Sequence, residues 1–229
     1  MKKYLLAFVM LIFSTNTYAQ KDVTKFMGIP VDGFKQQMFK QLKDKGFVAS
    51  EFDKDWLEGE FNGENVIVGI ATNNNKVYRI ALIDKILRNE TDIKIRYNRL
   101  CQQFIENQNY ITLYGIDDYI IPEDEDLSYE IIVNKKNYEA SFYQKPQDID
   151  TINLEQKFNS LLTKKYSKEQ IDNPSDEVIK TMLKEGVNLI FDAIEKKSVW
   201  FTIKEEGYDK YKIIMFYDNE YNKANGEDL

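Results

Sequence analysis

The stretch WLEGEFNGENVIVGIATNNNKVYRIALI, residues 56–83, decides the fold. Three apolar runs, Trp56 to Phe61, Val66 to Ala71 and Val77 to Ile83, are separated by two short polar turns. Asn62-Gly63 is the strongest of the short hairpin signals, because both residues accept positive φ. Asn73-Asn74-Asn75 turns the chain again. In the third run Tyr78, Ile80 and Leu82 alternate with Val77, Arg79, Ala81 and Ile83, the two-residue period of a strand. The stretch reads as an antiparallel meander. Upstream, Phe34, Met38 and Leu42 recur at spacing four between Asp32, a helix cap, and Gly46, a helix stop. A helix laid on one face of a meander is a complete α+β unit.

Downstream, Asn89 to Thr91 starts a second helix that runs to about Glu106. Its stripe is Ile93, Tyr97, Leu100, Cys101 and Phe104. Tyr110 to Tyr114 reads as a short strand. Ser128 to Val133 and Tyr138 to Gln144 read as a hairpin turning at Asn134 to Asn137. Two helices follow. Leu154, Phe158, Leu161 and Leu162 mark the first, which ends near Tyr166. Ile179, Met182, Leu183, Ile190, Ala193 and Ile194 line the second, with Ser175 as its cap and Lys197 near its end. Gly186 interrupts that stripe and admits a close neighbour. Val199 to Lys204 and Tyr211 to Asp218 are strands. The segment Lys76–Asp84 is echoed by Lys210–Asp218: both are basic-flanked apolar strands ending in Asp. The expected fold is α+β, with antiparallel meander sheets packed against helices. The echo leaves two arrangements open: related units at 20–110 and 111–229, or one continuous domain.

The N-terminus reads as an export signal. Lys2 and Lys3 precede the apolar run Tyr4 to Phe13, and Thr17-Tyr18-Ala19 puts small residues at the peptidase positions, so cleavage is expected before Gln20. The apolar run falls short of the roughly 20 residues of a membrane span. No cysteine stands immediately after the cleavage point, so release rather than lipid anchoring is expected, into the periplasm or the medium. No later segment is apolar enough to span a bilayer.

Two of the 31 basic residues fall within Met1–Ala19 and none of the 38 acidic ones, so the remainder carries a net charge of −9. That balance argues against nucleic acid or an anionic membrane as partner. The chain has no histidine, which removes serine–histidine and cysteine–histidine catalysis and histidine metal ligands. With one cysteine, no disulfide forms within the chain, and stability must come from packing. Cys101 itself reads as a small buried hydrophobe. No phosphate-binding loop or dinucleotide fingerprint is present, so no cofactor is expected.

Three groups are candidate sites. Asp117 and Asp118 with Glu123 to Asp126 crowd carboxylates on a loop, but their spacing matches no calcium loop, and a solvated charge run is the simpler reading. Glu58 and Glu60 point to one face of a strand, as the paired acids of a glycoside hydrolase must. Tyr208, Tyr211, Tyr217 and Tyr221 cluster near the C-terminus, and tyrosine is a common anchor of protein and sugar interfaces, although aromatic side chains also fill sheets well.

Several segments resemble a group of uncharacterised exported proteins of gut Bacteroidetes. They are Phe26–Gly33, Glu60–Gly63, Thr72–Tyr78, Asp92–Asn98 and the ending Asn225–Leu229. The resemblance implies export from a Gram-negative cell and carries no activity, ligand or site residue. The helix-plus-meander units also look loosely like those of exported inhibitor proteins and small outer-membrane assembly factors, an analogy of architecture alone. The expected function is therefore an exported soluble binding protein with an unknown protein or glycan partner. A carboxylate-based glycan hydrolase of the cell envelope is the alternative.

Overall fold

The computed structural model describes residues 22–146, 151–224 and 226. The segment read as an export signal, Met1–Ala19, and its cleavage point lie outside these residues, as do the side chains of Leu154, Ile190 and Ala193.

Among the described residues the first elements are a small hairpin, β1 (Lys25–Phe26) with β2 (Ile29–Pro30), and helix α1 (Lys35–Asp44). Strand β3 (Val48–Ala49) leads into the meander β4 (Trp56–Phe61), β5 (Glu64–Asn73) and β6 (Lys76–Asp84). Asn62 and Gly63 hold φ of 53° and 76°, the left-handed values that a two-residue turn of this kind requires. Helix α2 (Glu90–Glu106), strand β7 (Tyr110–Ile111), helix α3 (Leu127–Ile132) and strand β8 (Glu139–Gln144) follow. Three helices then leave the sheet: α4 (Thr151–Lys165), α5 (Lys168–Asp172) and α6 (Asp176–Ile194). A 3-10 turn at Glu195–Lys197 returns the chain to β9 (Ser198–Gly207) and β10 (Lys210–Asp218).

All strands from β3 onward form one antiparallel sheet in the order β3-β4-β5-β6-β10-β9-β8-β7. The protein is thus α+β with antiparallel sheets. The two echoing segments are the strands that meet at the centre, with Ile83 opposite Ile214 and Arg79 opposite Asp218. Each meander runs inward from its own edge.

Residues directly opposite one another on neighbouring strands share a face, so the register defines two surfaces. On one, Leu57, Val68, Leu82, Met215, Phe201 and Ala140 form a continuous row across six strands, all buried. Ile70, Ile80, Tyr217, Val199 and Phe142 form the next row, also buried. Met38 and Leu42 of α1 and the expected α2 stripe, Ile93, Tyr97, Leu100, Cys101 and Phe104, close over this face in one core. Phe104 stacks on Phe142 with ring centroids 4.7 Å apart and on Phe201 at 5.7 Å.

Burial leaves polar groups that the fold must pair. Asp84 ends β6 on the core side. It meets Arg96 of α2 through two contacts of 3.2 Å, and Arg88 at 3.1 Å. Arg88 also reaches Glu64 at 2.6 Å. Among the described residues no buried side-chain nitrogen or oxygen lacks a partner, as a well-formed interior requires.

Three local expectations give way. Asp32 does not cap α1. Its Oδ1 accepts from Gly33 N and Asn222 Nδ2, both at 2.7 Å, and Phe34 takes the cap position with its ring 57% exposed. The segment Ser128–Val133 is helix rather than strand: the Asp126 carboxylate accepts from Tyr129 N at 2.9 Å and nucleates α3. A good N-cap outweighs strand propensity over so short a run. The hairpin expected at Asn134–Asn137 is therefore absent, and β8 pairs with β9 instead. At Gly186 the neighbour is the Phe158 ring of α4, and a Cβ placed there would lie 3.5 Å from it, an ordinary van der Waals contact, so the expected close approach does not require glycine.

Candidate functional site

The second face of the sheet is built from the alternate residues of the same strands. Its first row reads Glu58, Ile67, Ile83, Ile214, Thr202 and Glu139 across six strands. The next reads Trp56, Gly69, Ala81, Phe216, Trp200 and Ser141. The isoleucines, Phe216 and both tryptophans are half-buried, and α1 and α2 lie on the other side. Among the described residues the contact from outside the sheet comes from the foot of the helical excursion, where Phe191 of α6 meets Tyr143 edge-on at 5.8 Å. The result is a band about 29 Å wide, from six strands at roughly 4.8 Å each, apolar at its centre and with a glutamate at either end of its first row.

Two devices hold this face flat and ordered. The Trp56 indole lies over Gly69 on the neighbouring strand, so close that a Cβ there would sit 2.5 Å from the ring. The aromatic ring supplies the packing surface that the glycine lacks. Near the centre, the buried Asp218 carboxylate accepts three hydrogen bonds from two side chains. Arg79 donates two bonds of 2.6 Å to its two oxygens, and Trp200 Nε1 donates a third at 3.0 Å. The guanidinium lies 4.6 Å from the Phe216 ring centroid, and Phe216 packs on Trp200 at 4.2 Å. The Asp218 carboxylate pushes the Arg79 pKa up and keeps it charged. This cluster joins β6, β9 and β10, and it presents planar, rigid groups to solvent. Such groups anchor interfaces at low entropic cost.

At the α6 end of the face a pocket of about 300 Å³ opens between β8, β9 and the 3-10 turn. Tyr143, Phe191 and Trp200 supply its rings, Ser141 and Ser198 its hydroxyls, Glu139, Glu195 and Glu220 its carboxylates, and Lys196 an ammonium group. Burial raises the Tyr143 pKa, and nearby tyrosines and the carboxylates of Glu195 and Glu139 add to that shift.

The four tyrosines expected to form an interaction surface do not come together. Tyr211 and Tyr217 point into the core at 0% and 4% exposure. The Tyr211 hydroxyl meets Ser128 at 2.8 Å, and Tyr217 packs on Phe26 at 5.0 Å. Tyr208 is 99% exposed at the β9–β10 turn, while Tyr221 is 43% exposed beyond the other end of β10. Strand alternation explains the split: 211 and 217 share the phase of Ile213 and Met215.

Glu58 lies on the uncovered face and is held by Lys85 Nζ at 2.5 Å and Ser50 Oγ at 2.7 Å. The hydrogen bond from Lys85, followed by that from Ser50, lowers its pKa, the opposite of what a general acid needs. Glu60 is exposed. The acidic loop is tethered rather than free. Lys94 Nζ donates to the carbonyls of Glu123 and Glu125 at 2.8 and 2.6 Å, and the Glu125 carboxylate accepts from Lys136 and Tyr138. Among the described residues no cluster of acids and cysteine could hold a metal ion, and no helix is long and apolar enough to cross a membrane.

Comparison with protein-family models, with curated proteins and with solved structures finds no match in any of the three.

Proposed function

We propose that this chain is an exported, non-enzymatic binding protein that holds a protein partner across the uncovered face of its sheet. The observation that carries this reading is the pair of apolar and aromatic rows running across six strands with no covering layer among the described residues. A contiguous apolar surface that the chain does not cover itself is a mark of an interaction site. A band about 29 Å wide and about 13 Å long along the strands offers roughly 380 Å². That falls within the roughly 300–600 Å² of the large, often functional patches on protein surfaces, and is about half of the roughly 800 Å² per partner of a standard interface. The exported character rests on the reading of Met1–Ala19 as a cleavable export signal, which supports a destination in the periplasm or medium. Glu58, paired with Lys85 and pushed toward the ionised form, lends nothing to the hydrolase alternative.

The test is affinity capture from periplasm and medium with mature protein as bait, beside a variant carrying Ile83→Asp and Ile214→Asp. The wild-type bait should retain a stoichiometric partner that the variant loses while keeping its circular dichroism spectrum. Equal recovery by both baits would refute the assignment of the surface. Retention of polysaccharide in place of protein would refute the partner class.

A further inference from the structure

The uncovered face ends at a pocket whose chemistry is more specific than the band beside it. Tyr143 and Phe191 stand at 78° to each other with centroids 5.8 Å apart, and Trp200 supplies a third ring. Aromatic faces carry negative potential and attract organic cations, most strongly where several rings converge and water is partly excluded. The surrounding charges point the same way. Glu195 is paired with Lys196 at 2.5 Å, Glu220 with Lys223 at 3.2 Å and Asp218 with Arg79 at 2.6 Å. Glu139 is the remainder. Its contact is a long one of 3.4 Å from Ser141 Oγ, and among the described residues no basic side chain pairs with it. The pocket thus combines three rings, the Lys196 ammonium group already paired with Glu195, and one carboxylate, Glu139, without a basic partner among the described residues, in a volume of about 300 Å³, close to the lower limit for small-molecule sites.

We infer that this pocket takes one arginine or lysine side chain of the protein partner, with the cation against an open ring face and paired to Glu139. The inference rests on the proposed function, since the partner that spans the isoleucine band delivers the side chain. A neutral sugar would also stack on aromatic rings, but a guanidinium or ammonium group adds an ion pair with Glu139, which is exposed and has no basic partner among the described residues. The acidic balance of the chain outside Met1–Ala19 favours encounter with a basic partner.

The test uses N-acetyl-arginine amide as probe, with N-acetyl-citrulline amide as its neutral isostere and cellobiose as the sugar control. The readout is the indole N–H resonance of Trp200, with that of Trp56 as the internal reference, since the chain has two tryptophans. The arginine probe should shift Trp200 saturably, and citrulline should bind at least about tenfold more weakly. Glu139→Gln and Phe191→Ala should each weaken the arginine probe about tenfold, a change of about 1.4 kcal/mol, with the fold intact. Equal binding of arginine and citrulline, a Trp200 shift with cellobiose, or no saturable shift would overturn the inference. The Ile83→Asp, Ile214→Asp variant separates the two readings. If it loses the captured partner but wild type ignores the arginine probe, the pocket inference fails alone. If the probe binds as expected but capture is indifferent to the variant, the surface assignment fails alone.

Discussion

Replacing Asp218 with asparagine tests whether the uncovered face is organised around a buried charge. The carboxylate is 2% exposed and accepts two 2.6 Å bonds from Arg79 and one of 3.0 Å from Trp200. The amide keeps an acceptor for the indole, but it loses the charge and turns a donor toward the guanidinium. Removing one partner of a fully buried pair costs about 3–5 kcal/mol. Arg79 keeps 23% of its side chain in solvent, so water recovers part of that, and about 2–3 kcal/mol is expected. At about 2–4 °C per kcal/mol for a chain of this size, Tm should fall by about 5–10 °C. Urea denaturation followed by far-ultraviolet circular dichroism gives the free energy directly. Arg79→Met should cost a similar amount, and the double variant should cost less than the two together by at least about 1 kcal/mol. If Asp218→Asn lies within about 0.5 kcal/mol of wild type, or the two substitutions are additive, the cluster does not hold the face together.

Alkaline pH should destabilise the fold. Burial pushes the Cys101 thiol up to about 12 and the Tyr97 and Tyr217 hydroxyls well above their ordinary range. The unfolded chain then releases these protons before the folded one does. Stability should hold below about pH 8.5, fall as pH rises through the unfolded cysteine pKa, and fall more steeply above about pH 10; urea midpoints that stay constant to pH 11 would contradict this. For the same reason iodoacetamide should modify Cys101 only through global opening, at a rate that rises with urea, and fast labelling of folded protein would refute its burial. Gly59→Ala should cost more than Gly69→Ala. The added methyl would meet the buried Phe47 ring at 2.5 Å in the first case and the half-exposed, movable Trp56 ring in the second; equal urea midpoints for the two variants would count against the packing described.

The meander was legible because its turns carry their own chemistry. Asn62-Gly63 fixes one hairpin and the asparagine run another, and the α2 stripe from Ile93 to Phe104 is buried as read. Strand β6 shows what pattern alone does not give. Ile80 and Leu82 lie in the core, yet Ala81 and Ile83, in the opposite phase, are apolar as well. A strand apolar in both phases belongs to a sheet with two demanding faces. That double phase, repeated in β10 at Ile214 and Phe216, was the available signal for the uncovered face. The tyrosine grouping missed it because nearness in sequence says nothing about which side of a strand a residue occupies. The pocket around Tyr143, Phe191 and Trp200 joins residues from three elements, so no local window contains it. The α3 error had a local cause: Asp126 was read as one charge among several, while its geometry makes it a cap.

The position of β10 also sets the order in which the molecule can form. Its partner β6 lies far upstream, and Arg79 and Asp218 are 139 residues apart in the chain. Contacts of such long range form slowly, because the intervening loop must close before they yield any gain. A chain that emerges N-terminus first can assemble β4 to β6 at once. It then carries the outer edge of β6 unpaired, and unpaired edges invite association with other chains. The sheet closes only when Lys210–Asp218 arrives to fill the gap between two preformed meanders. Completion is thereby deferred until Lys210–Asp218 has been made and can pair with β6.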